Sequence, residues 1–226
     1  MSKLIKSTLA LIAGVAAQDP NLFGLEFGFC PKKPVPVGNF EPTRYQGTWY
    51  EVKRDKYLWY EKDTNCVTAT YFFNTQNPFY PVSVNNQSYD YEKDIVTNTL
   101  MDNGDAYARA KFDEDGNGNV KFWWYPEGNY QVIDTDYNNY AIVYGCDDWF
   151  FSYTREVWLL SRTPRLDQRY VDYAMSVIEK KVGKDSGADS PYNLNRWIDT
   201  KQGGWCKYNL NVQDAQGTLP QFSGTQ

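Results

Sequence analysis

Residues able to do chemistry are plentiful in this chain, but their types narrow the chemistry open to them. There are 28 Asp and Glu, four Cys, 19 Tyr and 8 Trp, and no His. Without histidine there can be no His-ligated haem, no His-based zinc site and no Ser-His-Asp triad. Acid pairs such as Asp147-Asp148 could divide acid and base roles. They stand beside Cys146 in a stretch that reads as a loop, where solvated surface charge is the better reading. Asp113 to Val120 matches a calcium loop at positions one, three, five, six and eight. Position twelve, however, is Trp124 where calcium needs a bidentate Glu, and the flanks read as strands, so the stretch is read as a polar hairpin turn. No glycine-rich phosphate loop or nucleophile elbow is present. Neither a cofactor nor a metal is expected, and no residue is assigned a catalytic role.

What remains is a set of rings with polar edges. Aromatics make up 17% of the chain, a bias that favours strands over helices and suits a ring-lined pocket. Asn86-Gln87-Ser88 is the one glycosylation sequon. A surface sequon would point Asn86 outward, and a one-residue change of register would turn it inward.

Length and 42% hydrophobic content suffice for one domain with a real core. Residues 1–17 read as a secretory signal, with Lys3 and Lys6 as a basic head, an apolar centre, and Val15-Ala16-Ala17 as a cleavage site. The apolar run is too short to span a bilayer, so no stable membrane insertion is expected. The formal charge of −5 becomes more negative once the two lysines of the signal are removed, which argues against nucleic acid or anionic membranes as partners. An even number of cysteines behind such a signal suggests two disulfides in a secreted protein, with three pairings open. Nothing in the sequence sets the oligomeric state.

The elements that must position these residues follow in order. Residues 18–38 form a leader rich in Pro and Gly, suited to an extended course and not to a central strand. Strand signals then recur at about 47–57, 66–73, 80–89, 94–111 (bent near Asn103-Gly104), 119–125, 129–135, 139–146 and 155–162. Eight antiparallel strands can close around a core or one small ligand. After Thr163-Pro164 the period becomes helical: Leu166, Tyr170, Ala174, Val177 and Ile178 share a face, with Asp167 near the start and Gly183 as the stop. Residues 184–206 look loop-rich with a turn of helix after Pro191, and 207–226 read as a disordered tail.

Three stretches carry a family resemblance. Asn39-Phe40 with Tyr45-Gln46-Gly47-Thr48-Trp49-Tyr50-Glu51 resembles the first signature of the lipocalins. Thr135-Asp136-Tyr137 before Tyr140-Ala141-Ile142-Val143-Tyr144 resembles the second, and Leu160-Ser161-Arg162-Thr163-Pro164 the third. The resemblance covers about 30–206, fits the apolipoprotein-D-like group best, and implies a domain over 39–206. Its implied fold is all-β: an eight-stranded antiparallel up-and-down barrel with one C-terminal helix packed on the wall. It further implies disulfides Cys30–Cys146 and Cys66–Cys206, and a structural set of Gly47, Trp49, Asp136 and Arg162, with Arg162 lying across Trp49.

By the same resemblance Tyr45, Tyr71, Asn86, Tyr125, Tyr130, Trp158 and Leu160 line a ligand-holding interior. The expected function is that of a secreted carrier of a small hydrophobic molecule: a sterol, retinoid, fatty acid or pigment. The ligand is expected to be neutral, because no His, Lys or Arg is placed on the inward rows above Arg162. A lipid-modifying enzyme and a scaffold with a filled barrel are the alternatives. The missing histidine and paired cysteines weigh against the enzyme.

Overall fold

The computed structural model describes residues 24–61, 63–73, 78–98, 107–121 and 126–208. The signal, Tyr125 and residues 209–226 lie outside the described residues.

The barrel is built from β2 (Gly47–Asp55), β3 (Thr68–Phe73), β4 (Val82–Asp90), β5 (Ile95–Asn98) and β6 (Tyr107–Phe112). It continues through β7 (Asn117–Lys121), β8 (Gly128–Thr135), β9 (Tyr140–Trp149) and β10 (Ser152–Ser161). β5 and β6 both pair with β4, at Gln87–Asp90 and Val82–Asn85 respectively, and the bend expected near Asn103-Gly104 lies outside the described residues. Each strand pairs antiparallel with the next, and β10 returns to β2 through Trp158↔Arg54 to Ser161↔Tyr50. That last pairing closes an eight-stranded barrel and removes the exposed edges that an open sheet would leave.

Two apolar clusters divide the core. The first is the barrel interior, with Phe40, Tyr45, Trp49, Tyr71, Val84, Ala108, Val132, Val143 and Leu160. The second lies between the outer wall and the helix Gln168–Lys181, joining Ile142, Tyr144, Val157 and Leu159 to Ala174, Val177 and Ile178. Alternation along β9 and β10 sends successive side chains to the two clusters. Asp167 caps the helix by accepting from the Arg169 N–H, and the Gly183 N–H ends it on the Ile178 carbonyl.

Several elements depart from the sequence reading. β9 runs past Cys146 to Trp149, so Asp147 and Asp148 lie on a strand and not in a loop; the turn is at Phe150, which takes a positive φ of 53°. Asp147 is half-buried rather than solvated. The leader adds a two-residue strand, β1 (Glu26–Phe27), to β10, and the C-terminal part adds β11 (Trp197–Asp199) to β2. Tyr208, placed in the disordered tail by its sequence, packs 5.1 Å from the Tyr50 ring and donates to Gln202 Oε1 at 2.6 Å. Disulfides join Cys30 to Cys146 and Cys66 to Cys206, the pairing the resemblance implied. The Asp113 stretch is a hairpin turn held by its own carboxylate, which accepts from the Asp115 and Asn117 N–H groups at 3.0 and 2.8 Å.

Candidate functional site: the barrel interior

The interior has a sealed base. Trp49 is fully buried and donates its indole N–H to the Tyr45 carbonyl at 2.9 Å. The Arg162 guanidinium lies 3.7 Å from the centre of the Trp49 ring. It spends its donors on three carbonyls: Nε on Tyr137 at 2.9 Å, NH1 on Thr48 at 3.2 Å and NH2 on Arg44 at 2.9 Å. One side chain thereby ties the helical turn Pro42–Tyr45, the start of β2 and the turn between β8 and β9. Gly47 sits beneath it with φ +91°, a left-handed backbone conformation that asks for glycine. Asp136 accepts from the N–H groups of Asn138, Asn139 and Tyr140, fixing the turn between β8 and β9 at the same end.

Above the base comes a layer of tyrosines. The Tyr130 hydroxyl is within hydrogen-bond distance of both Tyr45 (2.9 Å) and Tyr71 (2.7 Å). Burial pushes all three hydroxyls well above their ordinary range, so they remain neutral donors and acceptors. Tyr45 is 1% exposed and packed against Trp49, so it belongs to the floor.

Higher up, the inward rows loosen. Tyr130, Trp158 and Val120 pack on the interior cluster yet are only partly buried, as are Phe73 and Phe112 nearer the base, where the Phe73 N–H donates to Gln46 and the Phe112 ring lies 5.0 Å from Phe40. A side chain that points into a barrel and still keeps accessible surface is not fully covered by its neighbours. Trp158 stacks at 28° on Tyr130, with centroids 6.4 Å apart. Asn86 pairs with Ala69, which shares the Trp49 row, so its side chain is on the inward row; its Oδ1 is buried and has no hydrogen-bond partner. Of the proposed lining, Tyr71, Asn86, Tyr130, Trp158 and Leu160 share the interior with Tyr45, while Tyr125 falls outside the described residues.

The sequence reading missed the acids of this upper half. β2 carries an irregularity where Leu160 opposes Glu51 but Leu159 opposes Lys53. The extra residue turns Arg54 inward beside Trp158, and Lys53 and Asp55 outward. Arg54 donates NH1 to Glu51 Oε1 at 2.8 Å and to Thr200, and NH2 to the carbonyls of Glu61 and Thr64. Glu61, on a 3-10 turn (Trp59–Glu61) after β2, is 3% exposed, and its Oε2 lacks a hydrogen-bond partner. Burial first, then the neighbouring Glu51 carboxylate, pushes Glu61 well above the ordinary carboxylate range, with Arg54 and the Trp158 indole working against that rise. Glu156, two residues before Trp158, projects from the same face of β10. Burial, then the charges of Asp147 and Asp55, pushes it up to about 8. No strand period reveals Glu61, because it enters from a loop.

The sequence profile of the lipocalin / cytosolic fatty-acid binding protein family matches residues 46–187. Apolipoprotein D of Cavia porcellus is 32% identical over 173 residues, spanning 75% of this chain and 85% of that protein. This chain belongs to the lipocalin family. Apolipoprotein D of Bos taurus is likewise 33% identical over 154 residues, 67% of this lipocalin and 75% of that one. Insecticyanin from the tobacco hornworm Manduca sexta shares the fold, with a TM-score of 0.63 at 20% identity, covering 82% of this chain and 93% of that chain.

Proposed function

We propose that this lipocalin holds a small hydrophobic molecule, of the size of a sterol, retinoid, fatty acid or pigment, in the hollow above the tyrosine layer. The observation that carries this is the contrast in exposure along one inward row: Leu160 is 5% exposed at the base, whereas Trp158 one step up keeps accessible surface. The chain works by burial and not by turnover. Removing a few hundred Å² of apolar ligand surface from water, at about 25 cal/mol per Å², supports micromolar affinity after ordering costs. Trp158, Tyr71, Tyr130 and Leu160 supply the walls, and Asn86 offers an oriented polar contact. The two disulfides and the signal-like start support a place in the secretory pathway.

The test is extraction of protein from its natural source followed by mass spectrometry, with titration of Trp158 fluorescence by apolar ligands. A co-purifying small molecule that quenches or shifts Trp158 supports the reading. Protein that carries nothing, and binds no apolar ligand below about 100 μM, overturns it.

A further inference from the structure

The upper hollow holds more negative groups than it can neutralise. Glu51, Glu61, Asp147 and Glu156 all bear on the Tyr60 hydroxyl, which burial and then these four acids push well above its ordinary range. Among the described inward-facing residues of this end, Arg54 is the one cation, and its donors are committed to Glu51, Thr200 and two carbonyls. Lys33 approaches Asp147 from the leader while donating to Asn129 at 3.0 Å, and Arg196 acts on Glu156 from the outer wall, where Asp55 already holds it at 2.8 Å. Asp147 is further satisfied by the Asn129 N–H at 3.1 Å. Two carboxyls have no cation of their own. Glu61 has a buried oxygen without a hydrogen-bond partner, and Glu156 is hydrogen-bonded to Thr154 and otherwise faces the acids Asp147 and Asp55. At Gly145, a Cβ would stand 3.0 Å from the Asn129 carbonyl oxygen, 3.1 Å from Glu156 Oε2 and 3.4 Å from Trp158 Cζ3, so acid and indole close on the same glycine of β9.

A carboxylate enclosed this way is costly unless a proton or a cation offsets its charge. An indole face beside it favours the cation. We propose that the hollow receives a hydrophobic molecule bearing a positively charged amino group, with Glu61 and Glu156 holding the ammonium and Trp158 and Tyr130 packing on the apolar body. This rests on the binding role proposed above and names the class of ligand. The sequence-based expectation of a neutral ligand considered cations on the inward rows and left out carboxyls. Without a cation beside it, Glu156, pushed up to about 8, keeps its proton at neutral pH, and burial with the Glu51 carboxylate moves Glu61 in the same direction. An arriving ammonium replaces the bound proton, so binding releases protons and tightens as pH rises from 6 to 8.

Decylamine, 1-decanol and decanoic acid share one apolar chain and differ only in the head group. Titrated into the full-length protein at pH 7.5, decylamine is expected to bind at least tenfold tighter than decanol, and decanoic acid weaker than both. Calorimetry in two buffers of different ionisation enthalpy is expected to show proton release for the amine alone. Glu61→Gln and Glu156→Gln, checked for folding by near-ultraviolet circular dichroism, are each expected to narrow the preference for amine over decanol. Equal affinity for amine and alcohol, or preference for the acid, overturns the ammonium assignment while the hollow stands. Failure of all three to bind overturns both the assignment and the binding role. The wild-type comparison decides the matter even if a variant does not fold.

Discussion

The two ends of this barrel treat polar groups in opposite ways. At the base, the Trp49 indole and all three donor nitrogens of Arg162 reach backbone carbonyls, and the enclosed rings have almost no accessible surface. At the mouth, Glu61 Oε2 and Asn86 Oδ1 are buried without partners and the rings stay partly open. Satisfied groups stabilise a fold, whereas unsatisfied ones weaken it and are tolerated where something else has to bind. The contrast separates a half of the barrel that holds the structure from a half free to recognise.

The sharpest way to break this comparison is at the base. Arg162→Ala removes the stacked guanidinium and three hydrogen bonds, and is expected to cost roughly 2 to 3 kcal/mol of stability, read as a lower urea midpoint. Ligand affinity in the folded variant should stay within about twofold. An unchanged midpoint would mean that the base does not depend on this side chain.

Trp158→Ala is the mirror experiment. A half-buried indole contributes less to folding, so the urea midpoint should move little, but affinity for an apolar ligand should fall about ten- to a hundredfold, or 1 to 3 kcal/mol. A variant that binds as tightly as wild type would place the ligand elsewhere.

Much of the base was legible in the sequence because short-range pattern specifies it. The family resemblance implied the set of Gly47, Trp49 and Arg162, and the two-residue spacing of Trp49 from Gly47 and of Arg162 from Leu160 fits side chains alternating along two strands. The mouth was not legible. An extra residue in β2 replaces Lys53 with Arg54 on the inner row, and no alternating pattern predicts where such an irregularity falls. Glu61 arrives from a 3-10 turn, and Asp147 was taken for a loop residue because the strand continues three residues past Cys146. Glu26 is a further residue missed: it receives the Arg155 Nε–H at 2.7 Å and fastens the leader to β10.

A smaller effect sharpens the contrast through pH. Because Glu156 is raised from 4.5 to about 8, the folded chain keeps a proton that the unfolded chain has lost. Its contribution to stability is complete below about pH 4.5 and is lost as pH rises through about 8. Glu156→Gln should flatten that decline by about 1 to 2 kcal/mol, allowing for screening by water at the mouth. Chemical denaturation at pH 5 and pH 8.5 is the measurement, and identical slopes in both proteins would refute the assignment.

The smallest expected effect returns to the base, with the opposite sign. Burial would raise Asp136, but hydrogen bonds from the Asn139 side chain and from the Asn139, Tyr140 and Asn138 backbone outweigh it and hold the carboxyl below its ordinary range. Its contribution is therefore present above the ordinary carboxylate range and fades as pH falls through the lowered value. Asp136→Ala should cost about 1 kcal/mol at pH 7 and less at pH 3. Thermal melts at the two pH values test it, and an equal loss at both would point to packing instead of charge.

The C-terminal segment is a stave of the wall. The Thr200 N–H donates to the Val52 carbonyl at 3.1 Å, and Gln202 Nε2 bridges the carbonyls of Glu51 and Val67 at 2.8 Å each. The Cys66 N–H reaches Lys201 at 2.9 Å, and four residues after Gln202 the chain is riveted to Cys66 itself. The acidic mouth is thus held in shape partly by a covalent bond. With the disulfide reduced, the stave would hang on hydrogen bonds alone, so the wall beside Glu51 and Val67 depends on an oxidising compartment.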